Sequence, residues 1–108
     1  DMIVSGGFNI FPREVEDVLS QHADVAMVAV VGVPDDKWGE AVTAVIVARG
    51  GAQPNADELI NLVKARKGSA HAPKHVKFDS ELPMTGVGKI DKKVLKAGFW
   101  TGRDRMVG

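Results

Sequence analysis

Two runs, Val25 to Val31 and Ala41 to Ala48, are apolar on both alternations. A strand with one wet face alternates apolar with polar residues, so runs apolar at nearly every position read as strands covered on two faces. Such strands need cover on each side, and the flanking segments can supply it. Pro12 suits the first turn of a helix, where its missing N–H costs nothing, and Glu14 and Glu16 suit that end electrostatically. Val15, Val18, Leu19 and His22 then recur at i, i+3, i+4 and i+7, an apolar stripe in which His22 reads as a packed or helix-end residue. Gly50-Gly51 and Pro54 mark a turn. After it Asn55 or Asp57 can cap a helix with Leu59, Ile60 and Val63 inward and Lys64, Arg66 and Lys67 outward, ended by Gly68 and Pro73.

Shorter signals fill the remainder. Ile3-Val4-Ser5 and Phe8-Asn9-Ile10 flank Gly6-Gly7, a pair that tolerates positive φ at both central positions, so a tight β-hairpin is predicted. Residues 32–40 read as a polar loop, with Trp38 as a lid over the sheet edge. Val76 and Phe78 alternate with Lys77 and Asp79, which predicts a strand with one face exposed. A helix is predicted from about Asp91 through Val94 and Leu95. The tail from Gly98 to Gly108 has no period and is predicted to be partly disordered. The expected fold is one α+β domain over residues 1–108: an N-terminal hairpin and a small mixed sheet of about three strands, flanked by helices.

Charge and composition exclude several classes. The chain has 108 residues, with 14 basic and 14 acidic side chains, and a net charge of zero argues against broad nucleic-acid or anionic-membrane binding. Without cysteine there is no disulfide framework and no cysteine nucleophile. No apolar run approaches the ~20 residues that span a bilayer, and the N-terminus is not a signal peptide. A cytoplasmic domain is expected. The start at Asp1, inside a strand-like run, predicts a piece of a longer chain. His71 and His75 are four apart, but Pro73 between them breaks the helical geometry a metal would need, and no metal ligands are assigned.

The chemistry concentrates in Leu82-Pro83-Met84-Thr85-Gly86-Val87-Gly88-Lys89-Ile90-Asp91. Lys89 ends a loop with two glycines, just before a short helix that Asp91 can cap. Gly86 and Gly88 relax the backbone, and Lys89 is a compact charge with three donors suited to phosphate or carboxylate oxygens. The alternative is a solvated surface loop. A P-loop fails on spacing, because Pro83 holds the place of its first glycine and Ile90 that of its Ser or Thr.

Pro83-Met84-Thr85-Gly86-Val87-Gly88-Lys89-Ile90 resembles the last core motif of the adenylate-forming enzymes, which include acyl-CoA synthetases, peptide-synthetase adenylation domains and luciferases. Met84 departs from that motif, where a basic residue is usual. The stretch from Asp1 to Glu16 resembles the family's hairpin motif, and Val28 to Glu40 the segment that follows it. The resemblance covers nearly the whole chain and identifies it as a member's small C-terminal domain, with the large N-terminal domain and the hinge residue absent.

The resemblance implies a two-step reaction. A carboxylic acid attacks the α-phosphorus of ATP, and the thiol of coenzyme A then displaces AMP from the acyl-adenylate. It implies Lys89 as the catalytic residue of the first step, supported by Thr85, Gly86 and Gly88. For coenzyme A it implies Gly7, with Gly6 and Phe8 beside it, and Lys64 near the 3′-phosphate. ATP and coenzyme A are the expected substrates, and Mg2+ is expected in the full-length enzyme without being held by this domain. The expected partners are the absent N-terminal domain, acyl-adenylate and coenzyme A. Alone, the 108 residues are expected to be inactive. The tail from Phe99 to Arg105 is similar to bacterial fatty-acid and aryl-acid CoA ligases. The alternatives are an adenylation domain that loads a carrier protein, and a non-enzymatic α+β binding module.

Overall fold

A computed structural model describes the backbone over residues 2–107 and the side chains from Met2 to Phe99. The chain runs β1 (Ile3–Ser5), β2 (Phe8–Ile10), α1 (Pro12–Leu19), β3 (Val25–Asp35), β4 (Gly39–Ala48), α2 (Ala56–Lys67), β5 (His75–Asp79) and α3 (Lys92–Val107). The two doubly apolar runs become β3 and β4, paired antiparallel, and β5 lies parallel to β4 with His75 opposite Thr43 and Asp79 opposite Val47. A parallel neighbour needs a crossover, and α2 provides it.

The alternation within β3 and β4 then sorts side chains onto two covered faces. Val28, Val30, Val42, Ala44 and Ile46 pack with Val15, Val18 and Leu19 of α1 and Leu59 and Val63 of α2. Ala29, Val31 and Val45 point the other way, to Leu82 and to Leu95 of α3. The result is three layers, with α1 and α2 on one face of a mixed sheet and α3 on the other. Each fully buried aliphatic side chain contributes about 1.5–3 kcal/mol relative to exposure, so among the described residues the larger α1/α2 face carries most of the apolar stabilisation.

Several expectations are refined. The hairpin strands join the central sheet through Ser5 opposite Gly39, so the mixed sheet has five strands where about three were expected apart from the hairpin. Residues 32–35 and 39–40 belong to the strands. Only Asp36–Trp38 form the turn, because Asp35 Oδ1 accepts from the N–H groups of Lys37 and Trp38 and tightens it. In α2, Leu62 packs against the core while Ile60 does not, and Phe78 at the sheet margin is 42% exposed. The third helix continues to Val107 through the segment expected to be partly disordered, and Gly108 lies outside the described residues.

The predicted caps form. Asn55 Oδ1 accepts from Glu58 N–H at 3.1 Å at the head of α2, and Asp91 Oδ1 accepts from Val94 N–H at 3.2 Å at the head of α3.

Candidate functional site

The lysine loop is a hydrogen-bonded miniature hairpin. Met84 and Ile90 form an isolated antiparallel bridge, and Asp91 N–H donates to Pro83 O at 2.7 Å. Thr85 N–H donates to Lys89 O at 2.6 Å, Gly88 N–H donates to Thr85 O at 3.0 Å, and Thr85 Oγ1 accepts from Lys89 N–H at 3.2 Å. Gly88 has φ of 85°, so the turn requires a residue free to take positive φ there, whereas Gly86 has no such requirement. The loop, whose glycines relax the backbone, is thus pinned at its base, with Val87 at its tip 83% exposed.

Lys89 is exposed, and among the described residues no carboxylate pairs with its ammonium. Beside it Thr85, Ile90, Asp91, Lys92, Lys93 and Lys96 line an open depression of about 580 Å³. The loop is fastened to the domain from below. Ile90 packs against the second-face cluster. Lys92 Nζ meets Glu16 Oε2 at 2.7 Å, and that same oxygen accepts from Val30 N–H at 2.9 Å.

The hairpin forms a second surface. Gly6 and Gly7 take φ of 57° and 85°, the left-handed pair that matches strand twist in a two-residue turn. Gly6 N–H donates to Trp38 O at 2.8 Å, and a Cβ on Gly6 would lie 2.8 Å from the Trp38 ring. Trp38 therefore covers the hairpin turn, where a lid over the sheet edge was expected. A Cβ on Gly7 would meet nothing within 4 Å. Phe8, 59% exposed, lines a depression of about 230 Å³ with Ser5, Trp38, Ser69, Ala70 and Lys74. Lys74 and Lys37 place their ammonium groups 4.6 and 5.1 Å from the Trp38 ring centre, within cation–π range. Ser5 Oγ is buried there without a hydrogen-bond partner.

The sequence-predicted residues therefore separate into two groups. Thr85, Gly88 and Lys89 meet in one turn, with Gly86 in the same loop, while Gly6, Gly7 and Phe8 meet in another, and no described residue lines both depressions. Lys64 is exposed in the last turn of α2 and lines neither depression. Sequence reasoning assigned no functional part to Lys74, Glu16 or Lys92, and took Trp38 only as a lid. From the sequence Glu16 reads as a helix-start residue, and only its 2.7 Å contact with Lys92 reveals a link to the lysine loop. His71 and His75 stand apart, their Nε2 atoms 3.4 Å from Glu14 Oε2 and 3.9 Å from Asp35 Oδ2.

Residues 14–89 match the family model of the AMP-binding enzyme C-terminal domain. The medium/long-chain-fatty-acid–CoA ligase FadD8 of Mycobacterium tuberculosis is 56% identical over 115 residues, covering all of this chain and 20% of its own length. A feruloyl-CoA synthase of an Amycolatopsis species is 44% identical over 99 residues, covering 92% of this chain and 20% of its own. The crystal structure of an acyl-CoA synthetase from Brucella canis superposes with a TM-score of 0.90 at 35% identity, over 95% of this chain and 20% of that one. This chain spans about a fifth of the length of the relatives it matches. The matched stretch runs from α1 to Lys89 itself, and the same fold recurs in a relative at 35% identity; the chain belongs to the family of AMP-binding enzyme C-terminal domains, in the adenylate-forming superfamily.

Proposed function

We propose that this chain acts as the C-terminal domain of an AMP-forming acyl-CoA synthetase, with residues 1–108 forming its small domain beside a large N-terminal domain. The observation that carries this is the Lys89 ammonium, exposed and without a carboxylate partner among the described residues, at the end of a loop tied shut around Thr85. In the first step a substrate carboxylate oxygen bonds to the α-phosphorus of ATP, and the bond to pyrophosphate breaks. Negative charge gathers between the two reactants, and a pre-placed cation stabilises that transition state more than the ground state. Lys89 supplies it. Residues Thr85, Gly86 and Gly88 hold the loop that presents it.

In the second step the coenzyme A sulfur bonds to the acyl carbonyl carbon, AMP leaves, and the thiol proton is lost. Gly7, with Gly6 and Phe8 beside it, serves this step by leaving open the space a thiol arm would cross. The open surroundings of Gly7 support that role. Lys64 is a candidate for the 3′-phosphate of coenzyme A. Mg2+ belongs to the full-length enzyme in this reading, and no residue of this chain is assigned to hold it. A cytoplasmic location, where ATP and coenzyme A are both available, goes with this function; no described helix is long and apolar enough to cross a membrane.

The test uses the full-length enzyme and measures each half-reaction separately. Gly7→Leu should still form acyl-adenylate and fail to make thioester, and Lys89→Ala should do the reverse. Equal losses in both half-reactions for either variant would remove that residue from its assigned step.

A further inference from the structure

Gly32 lies inside β3, opposite Val42 of β4. Its φ is not positive, so backbone conformation does not call for glycine there, and a strand-interior glycine often marks a close approach. Space is what it provides. A Cβ on Gly32 would fall 2.7 Å from Glu40 Oε2, 3.1 Å from Glu40 Cδ and 3.2 Å from Ile3 Cγ1.

The Glu40 carboxylate that fills this space turns its other oxygen, Oε1, to accept from Val4 N–H at 2.9 Å. Val4 is in β1, the strand that carries the Gly6-Gly7 turn. The register between β1 and β4 is only one pair long, Ser5 with Gly39, joined by the bond from Gly6 N–H to Trp38 O. Buried Ile3 and Ile10 seat the hairpin in the core, but the main-chain links to β4 are few, and the carboxylate adds a bond to them one residue from the Ser5–Gly39 pair. The small cavity beside Gly32 and Glu40 also has Lys92 and Lys96 in its wall. Lys92 pairs with Glu16, and among the described residues Glu40 has no ion-pair partner.

We propose that Glu40 is a positioning residue for the thioester-forming step: seated in the space Gly32 leaves, it fixes the tilt of the β1–β2 hairpin and so the path past Gly7. The inference rests on the assignment of that hairpin to coenzyme A. Glu40 touches no reactant and acts through Val4.

The test is made in the full-length enzyme, with pyrophosphate exchange reporting adenylation and single-turnover thioester formation from supplied acyl-adenylate reporting the second step. Glu40→Ala should lower thioester formation at subsaturating coenzyme A by about tenfold to a hundredfold, the scale of an ångström-level misplacement, with exchange changed less than about twofold. Glu40→Gln keeps an oxygen acceptor and should retain most of the activity. Gly32→Ala should reproduce the Glu40→Ala defect by displacing the carboxylate. In a Glu40→Ala background it should add little, because residues in contact are not additive.

A parallel fall in both half-reactions, an unaffected Glu40→Ala, or a Glu40→Gln as damaged as Glu40→Ala would each overturn the proposal. If Glu40→Ala does not fold, Glu40→Gln and Gly32→Ala decide it alone. Gly7→Leu is run beside them. If it leaves thioester formation intact, the coenzyme A assignment itself fails; if it blocks that step while the Glu40 and Gly32 variants do not, only the positioning role fails.

Discussion

Thr85 closes the lysine loop with two groups of one residue. Its N–H binds Lys89 O and its Oγ1 receives Lys89 N–H. Thr85→Val keeps the β-branched shape and deletes only the hydroxyl acceptor. Such a bond contributes about 0.5–1.5 kcal/mol net. The expected result is a two- to tenfold loss of pyrophosphate exchange, with thioester formation from supplied adenylate unchanged. At Gly7 two demands coincide, a φ of 85° and open space, and substitutions separate them. Gly7→Ala strains the turn by about 1–2 kcal/mol but adds only a methyl, whereas Gly7→Leu fills the path. Thioester formation should survive the first change and fail with the second. Equal loss in both would mean that the turn conformation, and not the space, is what this step needs.

At the scale of elements, α3 ties the lysine loop to the remainder of the domain. Its described contacts with the second-face cluster run through Leu95 and Phe99, and the Lys92–Glu16 pair at its first residue, being largely buried, matters more than an exposed pair would. Both side chains are about three-quarters buried. Lys92→Met leaves Glu16 with Val30 N–H alone and should cost about 1–2 kcal/mol, between the surface and buried regimes. Thermal unfolding should shift accordingly, and pyrophosphate exchange should fall more than thioester formation. The helices were legible in the sequence because their signals are local: Pro12 at a first turn, Asn55 and Asp91 as caps, Val15, Val18 and Leu19 as a stripe. The Lys92–Glu16 pair was not, since nothing local relates residues 76 positions apart. The length of α3 was missed for the opposite reason, as its C-terminal half has no apolar period to read.

At the scale of the whole molecule, the doubly apolar runs at β3 and β4 predicted a covered sheet, and the structure covers it with α1 and α2 on one face and α3 on the other. What the pattern did not contain was the docking of the hairpin onto β4, which depends on Ser5, Gly39, Glu40 and Gly32 meeting in space. That docking makes the sheet five-stranded and separates the two surfaces. Among the described residues the depressions beside the lysine loop and the hairpin share no lining residue, an arrangement suited to a domain that offers one surface in each of two steps. The measurement that tests this most directly is pyrophosphate exchange in the full-length enzyme, wild type against Lys89→Ala, over a panel of carboxylic acids, with thioester formation from supplied adenylate measured in parallel. The account predicts that exchange falls by at least about a hundredfold, the scale of removing one transition-state donor, while thioester formation stays within a few-fold. Exchange that persists in Lys89→Ala, or a matching collapse of both half-reactions, would contradict it.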